Sequence, residues 1–380
     1  MNTLFFAAFL ILGVTGGLIG TSIPFLTTYF HAPPDQAGLF VTLQTVGGML
    51  ANIVVGRWLD RYESRRIMWL MPAAFVLSGV VMMLATSWAG GLVAMFIFGC
   101  GFGGLLVAGN TIVTRVNLPN AAPALNIMSL CFGIGAAVGP QIVRQILVTQ
   151  PIPVAYLVIG AAQCIMLPFM LRHSLPPPVR HENHTPVSVS LLWVALFGAF
   201  LFFYTGAEVG FSAWISTQMT HMAGIAVTDG ALFVSLFWVG ITAGRALASV
   251  ITRRVSNETI LIGAAGTVFI SIVLLLAFPT SITIGAIATF AFGFFCGPVY
   301  PSALALVGQR YPDAVGQISG TLHALGNLGV ALIPWLQGQV SGGLSGGYTV
   351  TAVCEVVLLV LAILIARDSR RAVSSRPQTA

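Results

Sequence analysis

Lysine is absent from this 380-residue sequence, and charged residues of every kind are scarce. The basic side chains are 16 arginines and the acidic side chains number ten, so charged residues make up 7% of the chain. Soluble domains carry about 25% charged residues, and a chain with so few cannot cover a soluble surface. Hydrophobic residues account for 57% of the sequence. The composition therefore predicts an all-α integral membrane protein.

Cysteines are few, and their spacing matches neither a disulfide framework nor a metal motif. All five lie inside apolar runs, where we interpret them as small packing residues: Cys100, Cys131, Cys164, Cys296 and Cys354. The sequence also lacks a phosphate-binding glycine loop, an H-E-x-x-H pair and a G-x-S-x-G turn in a strand-to-helix context. We therefore expect no enzyme activity, no metal and no cofactor. The net charge of +6 does not indicate nucleic-acid binding, because the arginines follow the predicted membrane topology.

Long apolar runs divide the chain into membrane spans, since about 20 apolar residues cross a bilayer core. Twelve are predicted, near 3–28, 37–58, 67–88, 91–114, 122–148, 152–172, 190–216, 228–250, 259–278, 282–308, 314–340 and 348–366. The longest segment between spans is Pro-rich, polar and central: "RHSLPPPVRHENHTPVS", residues 172–188. We expect an N-terminal six-helix bundle (1–172), a cytoplasmic linker (173–189), a C-terminal six-helix bundle (190–367) and a cytoplasmic tail (368–380).

The arginines indicate an orientation. With the N-terminus inside, 15 of the 16 arginines lie on the cytoplasmic side, and only Arg144 lies on the other. Short cytoplasmic loops of membrane proteins are enriched in Arg and Lys. The sequence thus predicts a multi-pass protein of the inner (plasma) membrane with both termini in the cytoplasm.

The two halves repeat each other. "GRWLDRYESRR" at 56–66 and "GRALASVITRR" at 244–254 share Gly-Arg at the start and Arg-Arg at the end, 188 residues apart. "GIGAAVGP" at 133–140 and "NLGVALIP" at 327–334 are offset by 194, as are the Phe-Gly pairs at 98–99 and 292–293. Two related bundles joined by a linker are typical of alternating-access carriers, with a substrate site between the bundles near mid-membrane.

These features resemble the major facilitator superfamily. "GRWLDRYESRR" is similar to the superfamily's loop 2–3 signature, and the resemblance covers nearly the whole chain. It implies twelve transmembrane helices in two pseudo-symmetric six-helix bundles. A finer resemblance, to the fucose permease type of sugar:proton symporters, rests on four stretches: "FYTGAEVGFSAWI" (203–215), "GPVYPSALAL" (297–306), "ALNIMSLCFGIGAAVGP" (124–140) and "LGNLGVALIPWLQG" (325–338).

The finer resemblance implies a secondary active transporter that moves a sugar or a similar small polar solute. Proton coupling is expected, and sodium is the other candidate coupling ion. We also expect the protein to contact membrane lipid and to be a monomer. The alternative is a proton-driven antiporter that exports drugs or metabolites. Span five resembles the exporters' antiporter signature up to Pro140, but Gln141 and Ile142 stand where that signature has a glycine pair.

The loop motif contains the predicted gating residues: Gly56, Arg57, Asp60, Arg61 and, at the end of span four, Arg115. Gly56 is expected to let two helices approach closely. In this fold Asp60 is expected to face the start of span eleven, where free backbone N–H groups favour an anion. Such a contact would form in one of two states and act as a latch. Arg65 and Arg66 are interpreted as topology anchors.

Two side chains are candidates for proton coupling, Glu208 and His323. Glu208 lies mid-span between Gly206 and Gly210, where a charge costs about 2.5–3.5 kcal/mol and therefore calls for a reason. His323 is the one histidine inside a predicted span. The alternatives are a structural carboxyl bonded to a neighbouring helix and a packing histidine. The roles of Glu355, the other acid within a span, and of Arg144 stay open.

Sugar sites combine aromatic faces with amide groups. The predicted substrate-binding residues are Asn110, Gln44, Tyr204, Trp214, Trp238, Tyr300 and Asn327. Each is also compatible with helix packing or, for Trp214, with an interfacial belt.

Overall fold

A computed structural model describes residues 2–61, 64–117, 121–165, 168, 190–252, 254–311, 315–340 and 345–374. Within these ranges the chain is helical and contains no β-strand. The first half contributes α1 (Asn2–Tyr29), α2 (Gly38–Arg61), α3 (Ser64–Leu84), α4 (Trp88–Val116), α5 (Ala122–Thr149) and α6 (Ile152–Ile165), with a short 3-10 turn at Pro34–Gln36. The second half contributes α7 (Leu191–Ala223), α8 (Gly230–Ile251), α9 (Asn257–Ala277), α10 (Ile282–Cys296), α11 (Val299–Arg310), α12 (Val315–Gln339) and α13 (Ser345–Ser374).

The described helices coincide with the twelve predicted spans. Within the described residues, ten segments are long and apolar enough to cross a membrane, and α6 is a shorter apolar helix. The predicted span 282–308 corresponds to one candidate membrane span, Ile282–Arg310, which contains a break because α10 ends at Cys296 and α11 begins at Val299. Pro298 lies at this break, where it lacks the N–H that an uninterrupted helix requires. Helix α7 is longer than predicted and ends at Ala223, where Gly224 takes the left-handed conformation with φ of 68°.

The two halves have separate hydrophobic cores and the same internal packing. In the first half α1 packs on α5, α2 on α4 and α3 on α6. In the second half the equivalent pairs are α7 with α12, α8 with α10 and α9 with α13. One core is built almost entirely from α1–α6 and another from α7–α13. The repeat that the sequence predicts is therefore present in the packing.

Glycines allow the closest of these helix pairs to form. A Cβ atom on Gly135 of α5 would overlap the carbonyl oxygen of Leu10 on α1. A Cβ atom on Gly329 of α12 would likewise overlap the carbonyl oxygen of Phe202 on α7. The two glycines are 194 residues apart, the offset of the predicted repeat. The same backbone approach thus recurs in both halves.

The bundle has two chemically different ends. We call the end where α1 finishes and α2 begins the closed end, because the two halves meet there. We call the opposite end the basic end, because most of the described arginines lie at helix termini there: Arg57, Arg65, Arg66, Arg115, Arg254, Arg310 and Arg367. Arg144 lies near the last turn of α5, at the closed end.

Candidate functional site

Polar contacts join the two halves at the closed end. The Thr42 hydroxyl donates to the carbonyl oxygen of Ala331 at 2.6 Å. The Gln339 amide donates to the carbonyl oxygen of Asp35, also at 2.6 Å. Both contacts connect the start of α2, or the turn before it, to the last part of α12. They hold the first and second halves together on this side of the bundle.

A second line of cross-half contacts runs along α5 and α8. Arg144 Nη2 and Asp229 Oδ1 form an ion pair at 2.5 Å. About one helical turn nearer the centre along α5, and under two turns along α8, the Gln141 amide donates to the Ser235 hydroxyl at 3.2 Å. The ion pair accounts for the position of Arg144, the one arginine that does not fit the predicted topology. Its partner is an acid of the other half.

An aromatic cluster lies where the closed end gives way to the middle of the bundle. Phe132 of α5 and Trp238 of α8 meet edge to face with ring centres 6.2 Å apart. Phe102 of α4 packs edge to face on Phe132 at 6.3 Å. The indole N–H of Trp238 is buried and makes no hydrogen bond in this structure. Trp238 was predicted from the sequence as a substrate contact, whereas the two phenylalanines were not singled out.

At the basic end the described helices leave open space. No heavy atom of the described residues outside the local helix lies within 4 Å of a Cβ built on Gly56, Gly308 or Gly320. The expected close approach of helices at Gly56 is therefore not made in this conformation. Among the described residues, the polar contacts between the halves named above lie at the closed end and along α5 and α8.

Glu208 is buried within the second half, where it is 9% exposed. It follows Tyr204 by one helical turn on α7, so the two side chains share a face. The Tyr204 hydroxyl donates to the carbonyl oxygen of Cys296 at 2.9 Å, which connects α7 to the end of α10. Arg245 of α8 and Tyr300 of α11 are close enough to interact electrostatically with Glu208. The carboxyl group therefore lies among polar side chains from four helices.

His323 lies beside Tyr300, and both were predicted to be functional. The Tyr300 hydroxyl and His323 Nδ1 are 3.1 Å apart, and His323 is exposed. Tyr300 is also close enough to Glu208 to interact with it electrostatically, so Glu208, Tyr300 and His323 lie in one polar region of α7, α11 and α12. Within this region the hydrogen bond joins Tyr300 to His323.

Other predicted substrate residues make contacts within the protein. The Asn110 amide donates to the Leu106 carbonyl of its own helix at 2.8 Å. The Trp214 indole donates to the Pro334 carbonyl at 2.9 Å and its side chain is 1% exposed. Gln44 has a buried side-chain oxygen without a hydrogen-bond partner. Asn327 is half-buried on α12. Their roles in binding stay predictions.

The loop motif is described in part. Arg57 is exposed, and Arg115 Nη1 donates to the Leu59 carbonyl at the end of α2, at 2.9 Å. Arg115 therefore binds free carbonyl groups at a helix C-terminus, where a cation is favoured. The side chains of Asp60 and Arg61 lie outside the described residues. The latch they are expected to form stays a prediction.

Glu355, the second acid inside a span, is 2% exposed. It borders a small internal cavity of the second half together with Tyr204, Cys296 and apolar side chains of α9 and α13. In the described part of the chain no group of three or more His, Cys, Asp or Glu residues is arranged to hold a metal ion. Glu355 and Glu208 approach Cys296 from different helices.

Arg245 is one of the arginines that the predicted topology places on the cytoplasmic side, and it lies within the candidate membrane span Gly230–Ala248. Arg57, at the equivalent place in the repeat, likewise lies within the candidate span Gly38–Leu59. The sequence could have identified both, since the predicted spans 37–58 and 228–250 include them.

Two pseudo-symmetric bundles that meet at one end and enclose buried polar groups are the architecture of a multi-pass membrane transporter that works by alternating access. The chain belongs to the Major Facilitator Superfamily, whose family model matches residues 4–334 and 198–380. It is a transporter of this superfamily and not an enzyme.

Two curated relatives and one solved structure illustrate the similarity. The glucose/mannose transporter GlcP of Bacillus subtilis (strain 168) is 22% identical over 88% of this chain and 86% of its own length. A putative glucose/galactose transporter of Helicobacter pylori (strain J99) is 23% identical over 94% of each chain. The crystal structure of a D-xylose-proton symporter superposes with a TM-score of 0.78 at 13% identity, covering 96% of both chains. At 13% identity, the likeness to the solved structure shows the fold alone.

Proposed function

We propose that this protein is a proton-coupled carrier of a hexose or a closely related neutral sugar. The observation that carries the proposal is that relatives covering nearly the whole chain are named for glucose, mannose and galactose. The polar group of Glu208, Tyr300 and His323 supports it, because hydroxyl, imidazole and carboxyl groups are suited to the hydroxyl groups of a sugar. Trp238 adds an aromatic face and an unused N–H donor.

Proton coupling is assigned to Glu208. A carrier driven by protons requires a group that binds a proton in one state and releases it in the other. Glu208 is buried within the second half on a membrane-spanning helix, and an acid at such a depth is a functional candidate by default. His323, reached through Tyr300, is the second titratable group of the same cluster.

The protein is placed in the inner membrane with its basic end in the cytoplasm. The support is the asymmetry of the arginines, with Arg144 as the exception. The end at which the two halves are joined by the Thr42 and Gln339 hydrogen bonds then faces the outside. In a Cys-free background, single cysteines replacing Asp35 and Arg180 are expected to label from opposite faces of the membrane. Labelling of both from outside would contradict this orientation.

Sugar accumulation in proteoliposomes tests the function. Vesicles containing the purified protein, with a proton gradient directed inward, are expected to accumulate radiolabelled glucose, mannose or galactose above its equilibrium level. A protonophore should abolish the accumulation but leave exchange between internal and external sugar. Failure to exchange any of the three hexoses would refute the sugar assignment, and proton-driven extrusion of a drug in the same vesicles would favour the exporter alternative.

A further inference from the structure

Glu355 has a counterpart in the first half, and the two side chains differ in their partners. The stretches "YLVIGAAQ" (156–163) on α6 and "YTVTAVCE" (348–355) on α13 begin with tyrosine and end with Gln163 and Glu355, 192 residues apart. Gln163 is 3% exposed, and its amide donates to the Thr15 hydroxyl of α1 at 2.6 Å. Glu355 is 2% exposed, and no described residue makes a direct hydrogen bond or an ion pair with its carboxyl group.

The packing of α7 on α13 explains this difference. The glycine contacts described above align Leu10 of α1 with Phe202 of α7, again 192 residues apart. The same alignment puts Ala207 at the place of Thr15. Alanine offers a methyl group and no hydroxyl, so the second half lacks the partner that the first half provides. Because a buried polar group without a hydrogen bond is destabilising, Glu355 requires a partner from outside the chain.

A small internal cavity lies beside Glu355 and provides the space for such a partner. Tyr204 of α7 and Cys296 of α10 line the cavity together with Glu355 and apolar side chains. The Tyr204 hydroxyl donates its hydrogen to the Cys296 carbonyl at 2.9 Å, so its oxygen can still accept a hydrogen bond. Polar groups from three helices therefore border one cavity.

The size of the cavity and its polar groups determine which ligand fits. The cavity has room for about one water molecule, whereas sugar sites and other ligand pockets occupy about 300–1,000 Å³. A Ca²⁺ or Mg²⁺ ion takes about six or more oxygen ligands, and the side chains lining this cavity offer one carboxyl group and one hydroxyl. A buried water makes about two to four hydrogen bonds to polar groups that otherwise lack partners, which matches the groups present.

We propose that this cavity binds one water molecule, which the Glu355 carboxyl group holds and which also contacts the Tyr204 hydroxyl. The water replaces the hydroxyl that Thr15 offers to Gln163 in the first half, and it joins α13 to α7. The site is structural: an amide at position 355 can hold the same water, whereas an apolar side chain cannot. The inference depends neither on the transported solute nor on proton coupling.

X-ray footprinting of the purified protein tests for the water directly. Short X-ray pulses split a bound water into hydroxyl radicals, which oxidise the side chains next to it, and mass spectrometry measures the rate at each cysteine. Cys354 is the matched control, because it is 2% exposed like Cys296 but packs in an apolar cluster and does not line the cavity. We expect Cys296 to be oxidised several times faster than Cys354. Glu355→Leu should lower the rate at Cys296 to that of Cys354, and Glu355→Gln should preserve it.

Each result supports or contradicts the water site. Equal rates at the two cysteines of the wild type would overturn it. A fast rate at Cys296 that persists in Glu355→Leu would overturn the role of Glu355 as the ligand. If Glu355→Leu does not fold, Ala265→Val replaces it, since Ala265 lines the cavity from α9 and the added methyl groups exclude the water. Cys296 should then be protected although Glu355 is unchanged, and a wild-type rate in Ala265→Val would contradict the proposal.

Discussion

Among single residues, the two buried acids of the second half provide a matched comparison. Glu208 has Arg245 as a cationic neighbour, and it shares a polar cluster with Tyr300. Glu355 borders a mostly apolar cavity. We expect Glu208→Gln to abolish uphill sugar accumulation while preserving binding and exchange, because neither needs net proton movement. Glu355→Gln, the control, should accumulate sugar within about twofold of wild type, since the amide is close in shape to the carboxyl group and Glu355 borders a mostly apolar cavity.

Accumulation and exchange are measured in the same vesicles. A variant that exchanges sugar but does not accumulate it has lost coupling, whereas a variant that does neither has lost active protein. Unchanged uphill transport in Glu208→Gln would transfer the coupling role to His323. Loss of accumulation in Glu355→Gln would instead add Glu355 to the proton path. The sequence alone could identify both acids because charged residues within apolar runs are rare. It could not separate them, since the distinction depends on which neighbouring helix supplies a cation.

The sequence could not predict which side chains that are distant along the chain contact each other. Arg144 is the exception to the predicted distribution of arginines, and its ion pair with Asp229, 85 positions away, explains its place at the closed end. Arg245 repeats Arg57 in the sequence, yet Arg57 is exposed and Arg245 is half-buried. Pattern and spacing locate such residues along a helix, but which side chain faces them depends on how two helices pack.

At the level of helices, the glycine contacts are the most direct test of the fold. Gly329→Ala should destabilise the protein by about 1–3 kcal/mol, because the new methyl group overlaps the Phe202 carbonyl of α7 and forces the backbones apart. The control is Gly263→Ala on α9, where a Cβ atom meets no described heavy atom within 4 Å. This change should be neutral or stabilising by up to about 1 kcal/mol.

Thermal unfolding of both variants in detergent, followed by size-exclusion fluorescence, measures the difference. Equal melting temperatures for Gly329→Ala and Gly263→Ala would show that the α7–α12 approach is looser than described. The repeat between "GIGAAVGP" and "NLGVALIP" predicted this packing from the sequence. The break between α10 and α11 was not anticipated, although Gly297 and Pro298 marked it, because the apolar run continues through both residues.

For the whole molecule, the sequence predicted two related bundles, and the packing of the halves confirms them. Which end of the carrier is closed could not be predicted, because the same sequence must support both states of an alternating-access cycle. The conformation is set by small differences between two sets of contacts. In the described state these contacts include the Thr42 bond to Ala331, the Gln339 bond to Asp35 and the Arg144–Asp229 ion pair.

The Arg144–Asp229 pair is therefore expected to bias the carrier toward closure at this end. Its side chains are 34% and 49% exposed, so the pair should contribute about 0.2–1 kcal/mol, as exposed ion pairs do. Asp229→Asn should consequently increase, by about 1.4- to 5-fold, the fraction of molecules in which the halves have separated at this end, since 1.4 kcal/mol corresponds to a factor of ten.

Spin labels measure this separation. They replace His31 and Val227, which are exposed residues at this end in opposite halves, and report the distance between the two positions. Arg310→Gln is the control, because it breaks a pair with Asp368 that lies within one half. The exchange Arg144→Asp/Asp229→Arg should restore the wild-type distance distribution. If the distribution in Asp229→Asn is unchanged, the hydrogen bonds and packing between α2 and α12 keep this end closed without the ion pair.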